Sequence, residues 1–164
     1  MTNKDAPPDQ AANHDDNMPR PGKYLTFFLR GEKYGLAIET VKEIIRMQKI
    51  RPVPYFPSHL KGVISLRGSI LALMDLRIRF NMEETEYTDR TCVIVTTLNG
   101  KELGLIVDTV ADVTVFGAQD LEPQPALSRS ETSDFVEGIG KTAEDVIIIL
   151  NMVKLLSDED LHLV

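Results

Sequence analysis

Residues 61–80 read Lys-Gly-Val-Ile-Ser-Leu-Arg-Gly-Ser-Ile-Leu-Ala-Leu-Met-Asp-Leu-Arg-Ile-Arg-Phe. Two apolar runs, Val63 to Leu66 and Ile70 to Met74, flank Arg67-Gly68-Ser69. Short apolar runs around a turn-forming glycine predict a tight hairpin. Asp75 stands where an N-cap is needed and predicts a short helix from Leu76 to about Phe80. An arginine at a hairpin tip is held out from a rigid sheet with its donors free for a partner. The stretch presents a charge on a scaffold and frames no catalytic pocket, which points to binding.

Around this hairpin the chain reads as short strands. Tyr24 to Leu29 and Tyr34 to Ile38 flank the turn Gly31-Glu32. Val41, Ile44 and Ile45 fall at helical spacing and predict one or two helical turns over Glu39 to Ile45. Pro52, Pro54 and Pro57 make Arg51 to Pro57 an extended connector. After an acidic loop, Glu83 to Asp89, the strands Thr91 to Leu98 and Leu103 to Val107 enclose the hairpin signal Asn99-Gly100. Val110 to Val115 is a further strand, and Ala118 to Asp134 a long excursion with Pro123 and Pro125. Phe135 to Ile139 and Val146 to Leu150 are the last strands. Asn151 caps a helix through Leu156, and Ser157 with Asp160 forms a second cap leading into Leu161 to Val164.

Part of this pattern occurs twice. Gly31 to Ile44 lies over Gly100 to Val113 without gaps, with five of fourteen positions identical. Lys61-Gly62-Val63 answers Glu137-Gly138-Ile139, and Leu71 to Asp75 answers Ile147 to Asn151. Two copies of one small β unit are implied, each with about five strands. Five short strands avoid exposed edges by closing on themselves, which predicts a pair of small barrels sharing apolar surface, with room to exchange strands.

Composition narrows the function. Residues 1–22 carry four prolines, many Asp and Asn, and Met18 as the only large apolar residue beyond the initiator, which reads as a disordered acidic tail. Residues 23–156 form the folded domain, and 157–164 a short helix or tail. A net charge of −7 opposes nucleic acid as the main partner. The single cysteine, Cys92, excludes an internal disulfide and suits a reducing cytosol. There is no signal-peptide pattern and no apolar run of membrane-spanning length, so direct membrane insertion is not expected.

Several segments mimic chemistry. Gly138-Ile139-Gly140-Lys141-Thr142 resembles the end of a phosphate-binding loop, but Phe135 stands where a glycine is required and a β-branched run follows instead of a helix. A hairpin turn is the simpler reading. His14, His59 and His162 are scattered and read as surface residues, and Cys92 reads as a buried, inert thiol in an apolar strand. Asp108 and Asp112 read as turn carboxylates. No catalytic residues, metal ligands or cofactor site are expected.

The ordered segments Tyr24-Leu25-Thr26-Phe27, Tyr34-Gly35-Leu36, Val41-Lys42-Glu43-Ile44, Val53-Pro54, Lys61-Gly62-Val63-Ile64, Leu66-Arg67-Gly68, Asp75-Leu76-Arg77 and Val107-Asp108 resemble the CheW family of chemotaxis coupling proteins. The resemblance covers Tyr24 to Leu156. Ser65 stands where the family usually has Asn, and Ala72 where it often has Pro. The resemblance implies a mainly β protein with short helices, built as two linked five-stranded SH3-like β-barrels. It implies a non-enzymatic cytoplasmic adaptor, recruited to membrane-associated arrays. The partners would be the cytoplasmic tip of a methyl-accepting chemoreceptor and the regulatory domain of a chemotaxis histidine kinase. A receptor-contact surface then falls on Val41, Glu43, Lys61, Gly62, Arg67 and Val93, and a kinase contact on Ile38. Glu43 is alternatively an intramolecular partner of Arg67. A related chemosensory array with an output other than swimming, an enzyme with a small pocket, and a small-barrel ligand or nucleic-acid binder are the other readings.

Overall fold

The structure, a computed structural model, describes residues 18–124 and 134–164. Most of the expected tail, 1–17, and residues 125–133 of the expected excursion lie outside the described residues. Strands β1 (Gly22–Leu29) and β2 (Glu32–Ala37) pair as a hairpin, and a 3-10 turn, Ile38–Thr40, leads to β3 (Val41–Arg46). The opening hairpin is β4 (Leu60–Leu66) and β5 (Ser69–Asp75), followed by helix α1 (Leu76–Arg79). Then come β6 (Cys92–Leu98), β7 (Lys101–Val107) and β8 (Thr109–Phe116). A second 3-10 turn, Ala118–Asp120, precedes β9 (Leu121–Pro123), and β10 (Val136–Lys141), β11 (Val146–Leu150), α2 (Met152–Leu155) and α3 (Asp158–Leu163) complete the chain.

The strands form two sheets, ordered β8-β1-β2-β11-β10-β9 and β3-β6-β7-β5-β4. These are the two small SH3-like barrels, the first carrying the three-residue β9 as a sixth strand. Each barrel takes strands from both halves of the chain. β3 leaves its own hairpin to pair with β6, and β8 leaves its own to pair with β1. The sequence repeat therefore maps onto a reciprocal exchange: β2 then β3 in one copy, β7 then β8 in the other.

The stretch expected to be helical, Glu39 to Ile45, is instead the 3-10 turn and strand β3, and the cause is a β-bulge. Val41 pairs with Thr96 and Ile44 with Ile94, so β3 takes three steps where β6 takes two. The extra residue puts Val41 and Ile44 on one face of a strand at a spacing that otherwise signals a helix. The equivalent residues of the second copy behave alike, since Val110 pairs with Phe27 and Val113 with Leu25.

Alternation along the strands sorts the apolar residues into three clusters. Ile64, Leu71, Leu73, Val93, Val95 and Ile106 fill the second barrel, while Tyr24, Phe116, Leu121, Ile147 and Ile149 fill the first. The opposite faces meet in a larger cluster between the barrels, including Phe27, Leu36, Met74, Ile94, Leu105 and Leu155. Fully burying one such side chain contributes roughly 1.5–3 kcal/mol, so the shared cluster locks the barrels together. The repeated glycines Gly35 and Gly104 sit on inward faces. A Cβ on Gly104 would approach Leu73 to 2.4 Å and Val93 to 2.6 Å.

Candidate functional site

The hairpin tip is a two-residue turn in which Arg67 has φ +50° and Gly68 φ +83°. Both residues adopt the left-handed conformation that matches the twist of paired strands. The tip carries the Arg67 guanidinium across to β3, where Nη1 and Nη2 donate to the two Glu43 carboxylate oxygens at 2.7 and 2.6 Å. This bidentate pair ties the β4–β5 turn to β3, so that β4 and β3, the outer members of the second sheet's order, are linked through side chains, while a separate bridge between Arg51 and Val63 joins the connector to β4. Arg67 remains 67% exposed, so one flank of its guanidinium is available to a partner. The hydrogen bonds from Arg67 hold the Glu43 carboxyl below the ordinary glutamate range.

A second bulge lies on β4. Leu60 pairs with Met74 and Gly62 with Leu73, leaving Lys61 as the extra residue. Its ammonium pairs with Glu84 at 2.5 Å, tying the acidic loop to the strand. Gly62 has φ +148°, and a Cβ there would stand 2.2 Å from the Arg51 carbonyl oxygen. The residue is glycine because the connector backbone passes directly over it.

Of the residues expected at the receptor contact, the structure brings Glu43 and Arg67 into direct contact. Val41 neighbours them on β3, and Lys61 and Gly62 lie on β4. Val93 faces the interior of the second barrel with no exposure, opposite Ile45, and supports the surface from below. Ile38 lies apart, in the 3-10 turn where the chain crosses between barrels, partly buried against the shared cluster.

The pseudo-equivalent region of the first barrel provides an internal comparison. It has the same bulges, with Glu137 in the place of Lys61 and Gly138 in that of Gly62. Asp112 stands for Glu43, but Ala143 stands for Arg67. Asp112 turns instead to the buried Thr26 hydroxyl at 2.6 Å, a bond that holds its carboxyl below the usual aspartate range. The bulges therefore belong to the fold, and the arginine–glutamate pair belongs to one barrel only.

The segments that mimic chemistry have structural roles. Gly140 is overlain by the Phe116 ring, Gly138 by Pro19, and the Thr142 hydroxyl accepts from the Asp145 amide at 2.9 Å within the β10–β11 turn. Asp108 is engaged rather than freely solvated, pairing with Arg77 and accepting from the Arg30 amide. Cys92 is half-buried, not buried, with Sγ 3.2 Å from the Arg90 carbonyl oxygen. His59 is also partnered, its Nε2 lying 3.0 Å from both carboxylate oxygens of Asp160. That contact spans 101 residues of sequence, and local spacing carried no sign of it. Among the described residues no cluster of three or more metal-ligating side chains occurs, and no helix is long and apolar enough to cross a membrane.

Comparison with known proteins agrees with this architecture. The family model for the CheW-like domain matches residues 23–160. The chain is 33% identical over 142 residues to the chemotaxis protein CheW of Klebsiella aerogenes, covering 87% of this chain and 86% of that protein. It is 28% identical over 140 residues to protein FrzA of Myxococcus xanthus, covering 84% and 87% respectively. The crystal structure of scaffolding protein TtCheW from Thermoanaerobacter tengcongensis superposes with a TM-score of 0.78 at 34% identity, covering 85% of this chain and 95% of that one. Matched in sequence along nearly all its folded length and in backbone to a solved relative, the chain belongs to the CheW-like family, as a scaffold and coupling protein of chemotaxis and not an enzyme.

Proposed function

We infer that this protein joins the cytoplasmic tip of a chemoreceptor to the regulatory domain of a chemotaxis histidine kinase, and so passes receptor state to kinase activity. The observation that carries the reading is the exposed Arg67–Glu43 pair, fixed across two strands and absent from the equivalent place in the first barrel. A preorganised guanidinium on a rigid hairpin recognises a partner with little loss of side-chain freedom. The receptor face would comprise Val41, Glu43, Lys61, Gly62 and Arg67, with Val93 setting its shape from within. Ile38 would belong to the kinase contact. Signal transfer requires that the kinase-bearing complex be held differently in two receptor states, since a partner that contacts both states equally shifts nothing. The protein would act at the cytoplasmic side of receptor arrays.

The test is binding of a receptor cytoplasmic fragment and, separately, of the kinase regulatory domain. Arg67→Asn should weaken the receptor fragment by about tenfold or more while leaving the kinase domain bound. Unchanged receptor affinity would remove Arg67 from the contact, and no binding of either partner would overturn the role. A coupling protein of a related array with an output other than swimming is the second reading, favoured by the similarity to FrzA.

A further inference from the structure

Between Lys42 and Arg67 the chain carries six cations, Lys42, Arg46, Lys49, Arg51, Lys61 and Arg67, against one carboxylate, Glu43. This stretch is basic within a chain of net charge −7. Three of the cations are engaged: Lys42 by Glu102, Lys61 by Glu84 and Arg67 by Glu43. Arg46, Lys49 and Arg51 are exposed, and among the described residues none has a carboxylate within ion-pair distance. They fall within six consecutive residues at the end of β3 and the start of the connector, within a Debye length or two of each other.

The interleaved residues fix which side chains reach solvent. Ile45, Met47 and Ile50 pack against the core of the second barrel, which leaves Arg46, Lys49 and Arg51 outward. Beside them is a depression lined by Gln48, Lys49, Ile50, Pro52, Lys61 and Tyr87, in which Ile50 and Pro52 supply apolar surface and Lys49 an unpaired cation. Like charges in a row oppose folding slightly and give the free protein no internal contact in return. Their value lies in what they attract.

We propose that this strip is a docking surface for an acidic segment of a partner protein, with carboxylates along Arg46, Lys49 and Arg51 and an apolar side chain in the depression. The strip adjoins the receptor face inferred above and takes its setting from that reading, but its chemistry stands on the charges alone. The acidic remainder of the molecule opposes a nucleic acid, whose backbone would be repelled beyond the strip. A short carboxylate-bearing peptide fits the limited extent of the positive surface.

The test uses the full chain and a fluorescent peptide of roughly ten residues, alternating glutamate with glycine and leucine, long enough to span the strip. Its lysine counterpart, a short oligothymidine and phosphatidylglycerol vesicles are the comparison probes. The wild-type protein should bind the glutamate peptide in preference to all three. The combined change Arg46→Gln, Lys49→Gln and Arg51→Gln, all at exposed positions, should weaken it about tenfold and flatten its dependence on salt. Equal binding by the variant, no binding of the acidic peptide, or tighter binding of the oligonucleotide or vesicles would overturn the proposal. A receptor fragment separates the two readings. If the wild-type protein binds no receptor fragment while the acidic peptide still depends on the strip, the receptor role fails and the strip stands. If Arg67→Asn abolishes receptor binding and the acidic peptide ignores the strip, the receptor role stands and the strip fails.

Discussion

Arg67 occupies a left-handed backbone position that side chains other than Asn, Asp and Gly adopt at some cost. Asparagine at this site keeps the turn and removes only the guanidinium. Arg67→Asn should therefore unfold at nearly the wild-type temperature while losing receptor affinity, and a large fall in melting temperature would make Arg67 a structural residue. The pair with Glu43 also sets a pH dependence. Arg67 stabilises the charged carboxylate in the folded protein, so this contribution is present above the unfolded glutamate pKa and is lost as pH falls through the lower folded value. Carbon-13 NMR should show Glu43 titrating below the roughly 4.3 of an ordinary glutamate and moving upward in Arg67→Asn. At Gly62 the conflict is steric. Gly62→Ala places a methyl against the Arg51 carbonyl with an unfavourable φ and should cost about 2 kcal/mol or more, measured by urea unfolding. The sequence announced the residue types at these positions. It did not announce that Gly62 answers to the connector backbone, or that Val93 faces inward.

At the scale of elements, the hairpins and caps were legible because their signals are local. Arg67-Gly68 and Asn99-Gly100 both form turns with positive φ, and Asp75, Asn151 and Ser157 all accept backbone amides as caps. The sequence of β3 mimics a helix because its bulge changes the spacing of Val41 and Ile44, and a bulge depends on the partner strand rather than on its own sequence. Helix α3 shows the same division. Its capping box was readable from Ser157 and Asp160, whereas its docking to His59 was not. Asp160 is nearly inaccessible and receives bonds from both its own cap and the distant histidine. Asp160→Ala should lower stability by about 2 kcal/mol and raise amide exchange along Asp158–Leu163. Unchanged exchange there would mean that the helix is held by its other contacts, such as the packing of Leu161 and Leu163, and not by Asp160.

Across the whole molecule, the repeat made two similar units readable, and the exchange of β3 and β8 explains why neither half of the chain completes a barrel. The barrels also share their largest apolar cluster. They should therefore unfold together. Methyl resonances of Ile149 in the first barrel and Val93 in the second should lose intensity at one urea midpoint, while separate midpoints would show that the barrels fold independently. Rigid coupling of this kind suits a scaffold, because a partner held by one barrel is placed at a fixed angle to a partner held by the other. The identity of those partners lies beyond what local sequence patterns encode. A protein that couples the two should make kinase activity answer to the receptor. The most direct measurement is phosphotransfer by the kinase with a receptor cytoplasmic fragment, in the presence and absence of this protein. Receptor-dependent stimulation should require the protein and fall sharply with Arg67→Asn. Kinase activity indifferent to its addition, with both partners bound, would contradict this coupling.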